Sequence, residues 1–227
     1  MTRRKNKVRM RKKPNLIPRL ERTAKLQETS PEALRGKWRE EMSRAAGRGL
    51  TALYLELGCG KGAFTRALAE ENPDCAVVAV ELSAEAAVVA MERAAAEPGV
   101  ANTRFIIGDA RALTEFFGEG EVDRIFINFP DPWHKARHWK RRLTAPDFLR
   151  LYRKILGPGG ALHFKTDNVP LFEFSLETVP QNGFELTQVS RNLHENGIAE
   201  LMTDYETKFH AAGLPIMKLT AKSRSTP

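Results

Sequence analysis

From Leu53 onward, short and almost unbroken apolar runs alternate with longer segments in which apolar residues recur every three or four positions. The runs Leu53–Leu57, Ala76–Val80, Arg104–Ile107, Val122–Ile127 and Ala161–Lys165 are too short for buried helices and too continuous for half-exposed strands. They predict strands covered on both faces. Between them the spacing predicts helices over Ala63–Glu71, from a Ser83 cap to about Ala96 before Pro98-Gly99, and over Ala145–Leu156 ahead of Gly157-Pro158-Gly159-Gly160. In the last of these, Phe148, Leu149, Tyr152 and Ile155 form one stripe. Upstream, Ser30, Pro31 and Glu32 open a predicted helix that runs to about Gly47 with Leu34, Trp38, Met42 and Ala45 on its apolar face. A helix from Val169 to about Val179 and two strands, Phe184–Val189 and Pro215–Leu219, complete the pattern. Strands alternating with helices predict an α/β fold, a doubly wound, seven-stranded and mostly parallel sheet with an antiparallel addition near its end. A length of 227 residues suits one such domain.

Charge divides the chain unevenly. Residues 1–25 hold eleven Lys or Arg against one Glu, a net of +10 in a chain of +8, so residues 26–227 carry −2. Residues 1–25 are therefore expected to form a flexible basic tail that a polyanion orders, and residues 26–227 the folded domain. The tail lacks an apolar core of signal-peptide length. No run approaches the roughly 18 apolar residues of a membrane span. With only Cys59 and Cys75, the composition fits a reducing cytoplasm rather than a disulfide framework, and no membrane association is expected. His134 and His138 sit among cations that would repel a metal ion, so no metal is expected.

The chemistry gathers at the ends of the predicted strands. The first runs into Gly58-Cys59-Gly60-Lys61-Gly62, where glycines let backbone approach a ligand and the following helix start offers free N–H groups. Gly58-x-Gly60-x-x-Ala63 also satisfies a dinucleotide fingerprint. Glu56, two residues before the first glycine, would repel a pyrophosphate but attract a sulfonium and an ammonium, which favours S-adenosylmethionine as the ligand. Glu81, 21 residues beyond Gly60, ends the second strand where a carboxylate can accept both ribose hydroxyls. Asp109 and Ala110 end the third; a simple turn cap is the other reading of Asp109.

The fourth strand ends in Asn128–Arg142, NFPDPWHKARHWKRR. Pro130 and Pro132 exclude regular structure from Phe129 to Trp133 and leave Asp131 at the centre of a loop. His134–Arg142 then carries five Lys or Arg, two His and Trp139, a composition suited to phosphates and stacked bases. This loop with Lys135 and its basic run, and the later segment with Thr203, Tyr205, Glu206 and Lys208, resemble the tRNA (guanine-N7-)-methyltransferases. The similarity runs from about Arg11 to Leu219, with Asn15 and Met217 standing where the family tends to have aromatics.

The resemblance implies a Rossmann-like class I methyltransferase that moves a methyl group from S-adenosylmethionine to N7 of a guanine in the variable loop of tRNA, at position 46. It implies donor contacts from Glu56, Gly58, Gly60, Glu81, Asp109, Ala110 and Asp131, the third strand end being where such enzymes hold the adenine amino group. Substrate contacts fall on Lys135, Asp167, Thr203, Asp204, Tyr205 and Glu206. Asp131 is the catalytic candidate, either stabilising charge on the purine or orienting the donor's amino group. Asp167 or Glu206 would accept from the guanine edge, Lys135 would hold a phosphate, and Trp133 or Trp139 would stack on a base. A monomer or a homodimer is expected. Two readings from other classes are a nicotinamide-dependent oxidoreductase, which Glu56 disfavours, and a non-catalytic RNA-binding protein, which the full carboxylate set disfavours.

Overall fold

A computed structural model of the chain describes residues 15–96, 101–193, 195, 201–203, 205–207 and 212–224. Its strands are β1 (Ala52–Leu57), β2 (Cys75–Glu81), β3 (Thr103–Ile107), β4 (Val122–Asn128), β5 (Leu156–Thr166), β6 (Phe184–Ser190) and β7 (Met217–Ser223). The helices are α1 (Leu16–Arg22), α2 (Trp38–Ala46), α3 (Ala63–Glu71), α4 (Ala84–Ala96), α5 (Leu113–Phe116), α6 (Pro146–Ile155) and α7 (Val169–Gln181). The strands form one sheet in the order β3-β2-β1-β4-β5-β7-β6. Pairings from β3 to β5 are parallel, and β7 is antiparallel to both of its neighbours. The predicted doubly wound sheet is therefore present. The strand order reverses between β1 and β4, which opens a crevice at their carboxyl ends.

Both faces of the central strands are covered, which is why their sequences read as continuous apolar runs. Leu53, Leu55, Ile125, Ile127 and Phe164 pack on one side with α2 and α6, and Tyr54, Val77, Ala79 and Phe126 on the other with α3 and α4. The close α3–α4 approach rests on Gly62: its φ is +75°, and an added Cβ would stand 2.6 Å from the Ala90 Cβ. Gly62→Ala is expected to cost about 1–3 kcal/mol of stability through overpacking. Urea unfolding measures this, and a midpoint equal to wild type would show that the two helices part freely.

Four boundaries differ from the sequence expectation, each for a physical reason. The helix expected from Ser30 to Gly47 is split into a 3-10 turn, Pro31–Leu34, and α2. Gly36, at φ +78°, turns the chain between them, and the Glu121 carboxylate accepts the N–H groups of Gly36 and Trp38 at 2.8 Å each. The new start leaves Trp38 and Met42 buried and Ala45 exposed. The glycines expected to end α6 instead belong to β5, where they form an irregularity opposite Val122–Arg124. Strand β7 continues past Leu219 because Leu219 and Ala221 keep the alternation with period two, with Lys222 between Ala221 and Ser223 exposed. The fourth concerns the tail, whose boundary at residue 25 falls inside structure tied to the body. Arg19 of α1 makes a paired contact to Glu92 of α4 at 2.7 and 2.5 Å, and Gln27 bridges Phe105. The basic block of residues 3–13 and the Pro98-Gly99 helix end lie outside the described residues.

Candidate active site

Loops following β1, β4 and β5 converge on a crevice of about 560 Å³. Gly58–Gly62 and Glu56 form one wall, and Asn128–Pro132 with His134 the opposite one; Asp167, Asn168, Thr203 and Tyr205 close it. Sheet topology brings the first three segments together, since they leave the carboxyl ends of the neighbouring parallel strands β1, β4 and β5, whereas Thr203 and Tyr205 precede β7 in the chain.

On the glycine wall, Gly58 and Gly60 have φ of +75° and +54°, and a Cβ at either would project into open space. That space is a cradle which any side chain would fill. The Gly60 and Ser83 N–H groups donate to the two oxygens of Glu81 at 2.9 and 2.8 Å, so the carboxylate is held beside the loop. Glu56 is almost fully buried, accepting from the Thr65 hydroxyl and, at 3.2 Å, from the Asn128 side chain. Burial pushes its carboxyl up to about 7; the bonds from Thr65 and Asn128 oppose the rise and Glu81 adds to it. A buried acid facing a glycine cradle, with a second acid held on its rim, fits S-adenosylmethionine, whose cations and ribose hydroxyls match those groups. Asp109 accepts the Arg111 N–H at 2.9 Å and pairs with the Arg111 guanidinium at 2.8 Å, capping the 3-10 turn Ala110–Ala112 outside the crevice lining.

The raised Glu56 carboxyl has two consequences of opposite sign. Protonated Glu56 favours the folded chain fully below the ordinary carboxylate range, and that contribution is lost as pH rises through about 7. A cationic ligand instead needs the ionised form, so donor binding must release a proton below that pH. The dissociation constant of the donor is expected to rise about fivefold between pH 7 and pH 6, and to be flat in Glu56→Gln. Calorimetric titration in buffers of differing ionisation enthalpy reads this directly, and a pH-independent constant in the wild type would separate Glu56 from the donor.

The opposite wall is strained. Phe129 and Trp133, at φ +49° and +46°, are the non-glycine residues with left-handed backbone among those described. Each costs on the order of 1–3 kcal/mol, and such strain concentrates at working sites. Between them Pro130-Asp131-Pro132 lines the crevice, with Asp131 exposed. The Phe129 N–H donates to the Lys165 carbonyl at 2.9 Å, and its ring lies 5.0 Å from that of Tyr205. The Tyr205 hydroxyl donates to Asp167 at 3.2 Å; burial, followed by the Asp167 charge, raises its pKa.

Beyond the loop, Lys135 is exposed at the start of the 3-10 turn Ala136–Arg141. Arg141 sits 4.8 Å over the Trp133 ring, whose edge meets His138, while Trp139 is 38% exposed beside Lys140. Cations riding on aromatic faces make a surface suited to backbone phosphates and unpaired bases. No group of three or more His, Cys, Asp or Glu able to hold a metal occurs among the described residues. No helix among them is long and apolar enough to cross a membrane.

The structure brings Glu56, Gly58, Gly60, Asp131, Asp167, Thr203 and Tyr205 together. It does not bring Glu206 with them. That residue is 0% exposed, and both of its carboxylate oxygens lie 3.2 Å from the Lys165 ammonium, so it anchors the closing segment instead of facing a substrate. Lys165 also donates to the Leu201 carbonyl at 3.0 Å, and the Glu206 N–H donates to the Thr203 hydroxyl at 2.9 Å. Asp204 and Lys208 lie outside the described residues. Sequence reasoning missed Asn128, Thr65, His134, Asn168 and Lys165. Asn128 could have been found as a polar residue ending an apolar strand, but Thr65 and Lys165 acquire partners only through the fold.

Comparison with known proteins agrees with this geometry. Residues 51–219 match the family described as "Putative methyltransferase". The chain is 43% identical over 192 residues to the tRNA (guanine-N(7)-)-methyltransferase of Geobacillus kaustophilus, covering 84% of this chain and 86% of that protein. It is 38% identical over 219 residues to the protein of the same name from Bacillus subtilis, covering 96% and 100%. Among solved structures, the 16S rRNA methyltransferase KamB superposes with a TM-score of 0.60 at 18% identity, over 82% of this chain and 92% of that one, a likeness of fold. TrmN from Thermus thermophilus superposes with a TM-score of 0.54 at 25% identity, over 86% and 52%.

Proposed function

The chain belongs to the tRNA (guanine-N7-)-methyltransferase family, and we propose that it methylates N7 of guanine 46 in the variable loop of tRNA, using S-adenosylmethionine. The observation that carries this reading is the division of the crevice, with Glu56 and the Gly58–Gly62 cradle on one wall and Asp131 and Asp167 on the other. S-adenosylmethionine, when bound, supplies an electrophilic methyl group on a sulfonium. Glu56, Gly58, Gly60 and Glu81 would hold it, with Asp109 and Ala110 toward its adenine. The chain's own task is then to position a purine.

Guanine N7 has a lone pair free in the ring plane, so no strong general base is required. Alignment carries most of the rate, and holding two reactants in line supplies roughly 7–11 kcal/mol of a barrier. The purine becomes cationic as the bond forms, and a fixed carboxylate facing it stabilises that charge. Asp131 is exposed on the crevice wall in a loop fixed at both ends, which supports this role for it. Asp167, lining the same crevice, accepts from the donor-rich Watson–Crick edge of guanine and repels the acceptor nitrogen of adenine. Lys135 and the basic turn meet phosphates, and Trp133 or Trp139 stacks on an exposed base.

The test is transfer of labelled methyl from S-adenosylmethionine to unmodified tRNA, followed by chain cleavage at the modified base. Label at N7 of guanine 46 is expected. Label elsewhere would overturn the position, and no transfer despite binding of donor and tRNA would overturn the activity.

A further inference from the structure

We infer that Arg142 is the positioning residue of the reactive loop, fixing the segment that carries Asp131 and tying it to α7. The inference rests on the methyl-transfer reading above for its kinetic test. Pro130 and Pro132 bring no N–H groups, and Phe129 and Trp133 have left-handed backbone, so the loop cannot hold itself by a strand-like ladder. Its first half is tied to β5 by the bond from Phe129 to the Lys165 carbonyl. Its second half is tied by Arg142: Nε donates to the Pro132 carbonyl at 3.0 Å and a terminal nitrogen to the Trp133 carbonyl at 3.5 Å.

The same guanidinium lies 4.5 Å over the ring of Phe174, within α7. The amino end of α7 is Asn168, which lines the crevice beside Asp167 and caps the helix by accepting the Leu171 N–H at 2.9 Å. One planar cation thus connects the loop bearing Asp131 to the helix that follows Asp167. Arg142 is half-buried, whereas Lys135, Arg137, Lys140 and Arg141 of the same run are exposed. Its fork points at carbonyls, and its charge is directed inward rather than toward a phosphate. A lysine keeps the charge but offers one donor atom and no plane to stack, so Arg142→Lys separates charge from geometry.

Arg142→Lys and Arg142→Ala are expected to lower kcat about tenfold or more, with KM for tRNA within about twofold of wild type and an unchanged salt dependence of binding. Phe174→Leu should give a smaller loss in the same direction, and the double variant should be no worse than Arg142→Ala alone, since the two act through one contact. Amide hydrogen exchange at Asp131 and Trp133 should quicken about tenfold in Arg142→Lys while β4 is unchanged. That readout needs no turnover, so it stands even if the assigned reaction fails. A raised KM for tRNA with kcat retained and a salt slope reduced by about one would make Arg142 a phosphate contact and overturn the inference. So would wild-type loop exchange in both variants.

Discussion

Lys165→Met is expected to destabilise the protein by about 3–5 kcal/mol, because it removes the Lys165 ammonium from beside the buried Glu206 carboxylate. Lys165 is 5% exposed and Glu206 0%, and the ammonium lies 3.2 Å from each carboxylate oxygen, so water replaces little of what is lost. For a domain of this size the thermal midpoint should fall by roughly 6–20 °C. Glu206→Leu in the same chain should return much of that stability, since removing both charges also removes the need to bury them. Activity should not return with it. Thr203 and Tyr205, on the segment that this pair anchors to β5, line the crevice, and the Thr203 hydroxyl bonds to the Glu206 N–H. Scanning calorimetry of the three variants decides this. A single variant as stable as wild type would show the pair to be dispensable, and Glu206 would again be open to a role at the substrate.

This pair also marks where the sequence stopped being informative. Each central strand was legible because burial on both faces writes an almost unbroken apolar run, and each strand end was legible because the run gives way at Gly58, Glu81, Gly108 or Asn128. The crevice follows from those ends and the sheet order. Partners separated along the chain follow no such rule. Glu206 and Lys165 are 41 residues apart, and read alone one is an acid in a polar motif and the other a lysine ending a strand. The carboxylate of Glu121 fixes the start of α2 by accepting the N–H of Trp38, 83 residues before it, so the apolar stripe began that helix too early. Arg142 reads as one more cation in a basic run, and only the fold turns its fork onto the carbonyls of Pro132 and Trp133.

Asp131→Ala is expected to lower kcat by about 10²–10³-fold, in the range lost when one preorganised electrostatic group is removed from a reacting centre. The two roles open to Asp131 predict different partners for that loss. If the carboxylate faces the purine as it becomes cationic, kcat falls while the dissociation constant of the donor stays within about threefold. If it orients the donor's amino group, donor binding weakens in step with turnover. The geometry favours the first. Glu56 and Glu81 stand near the ends of β1 and β2 beside the glycine loop, whereas Asp131 leaves β4 on the opposite wall, in a loop tied to β5 through Phe129 and joined to Asp167 through Tyr205. Asp131→Asn sharpens the distinction, keeping the size and hydrogen-bonding capacity of the side chain while removing its charge. Charge stabilisation requires that Asn lose nearly as much kcat as Ala, whereas an orienting role would let Asn retain most of it. Single-turnover methyl transfer, with donor affinity measured by titration on the same preparations, reads both quantities. Turnover within tenfold of wild type in Asp131→Ala would remove Asp131 from the reacting centre.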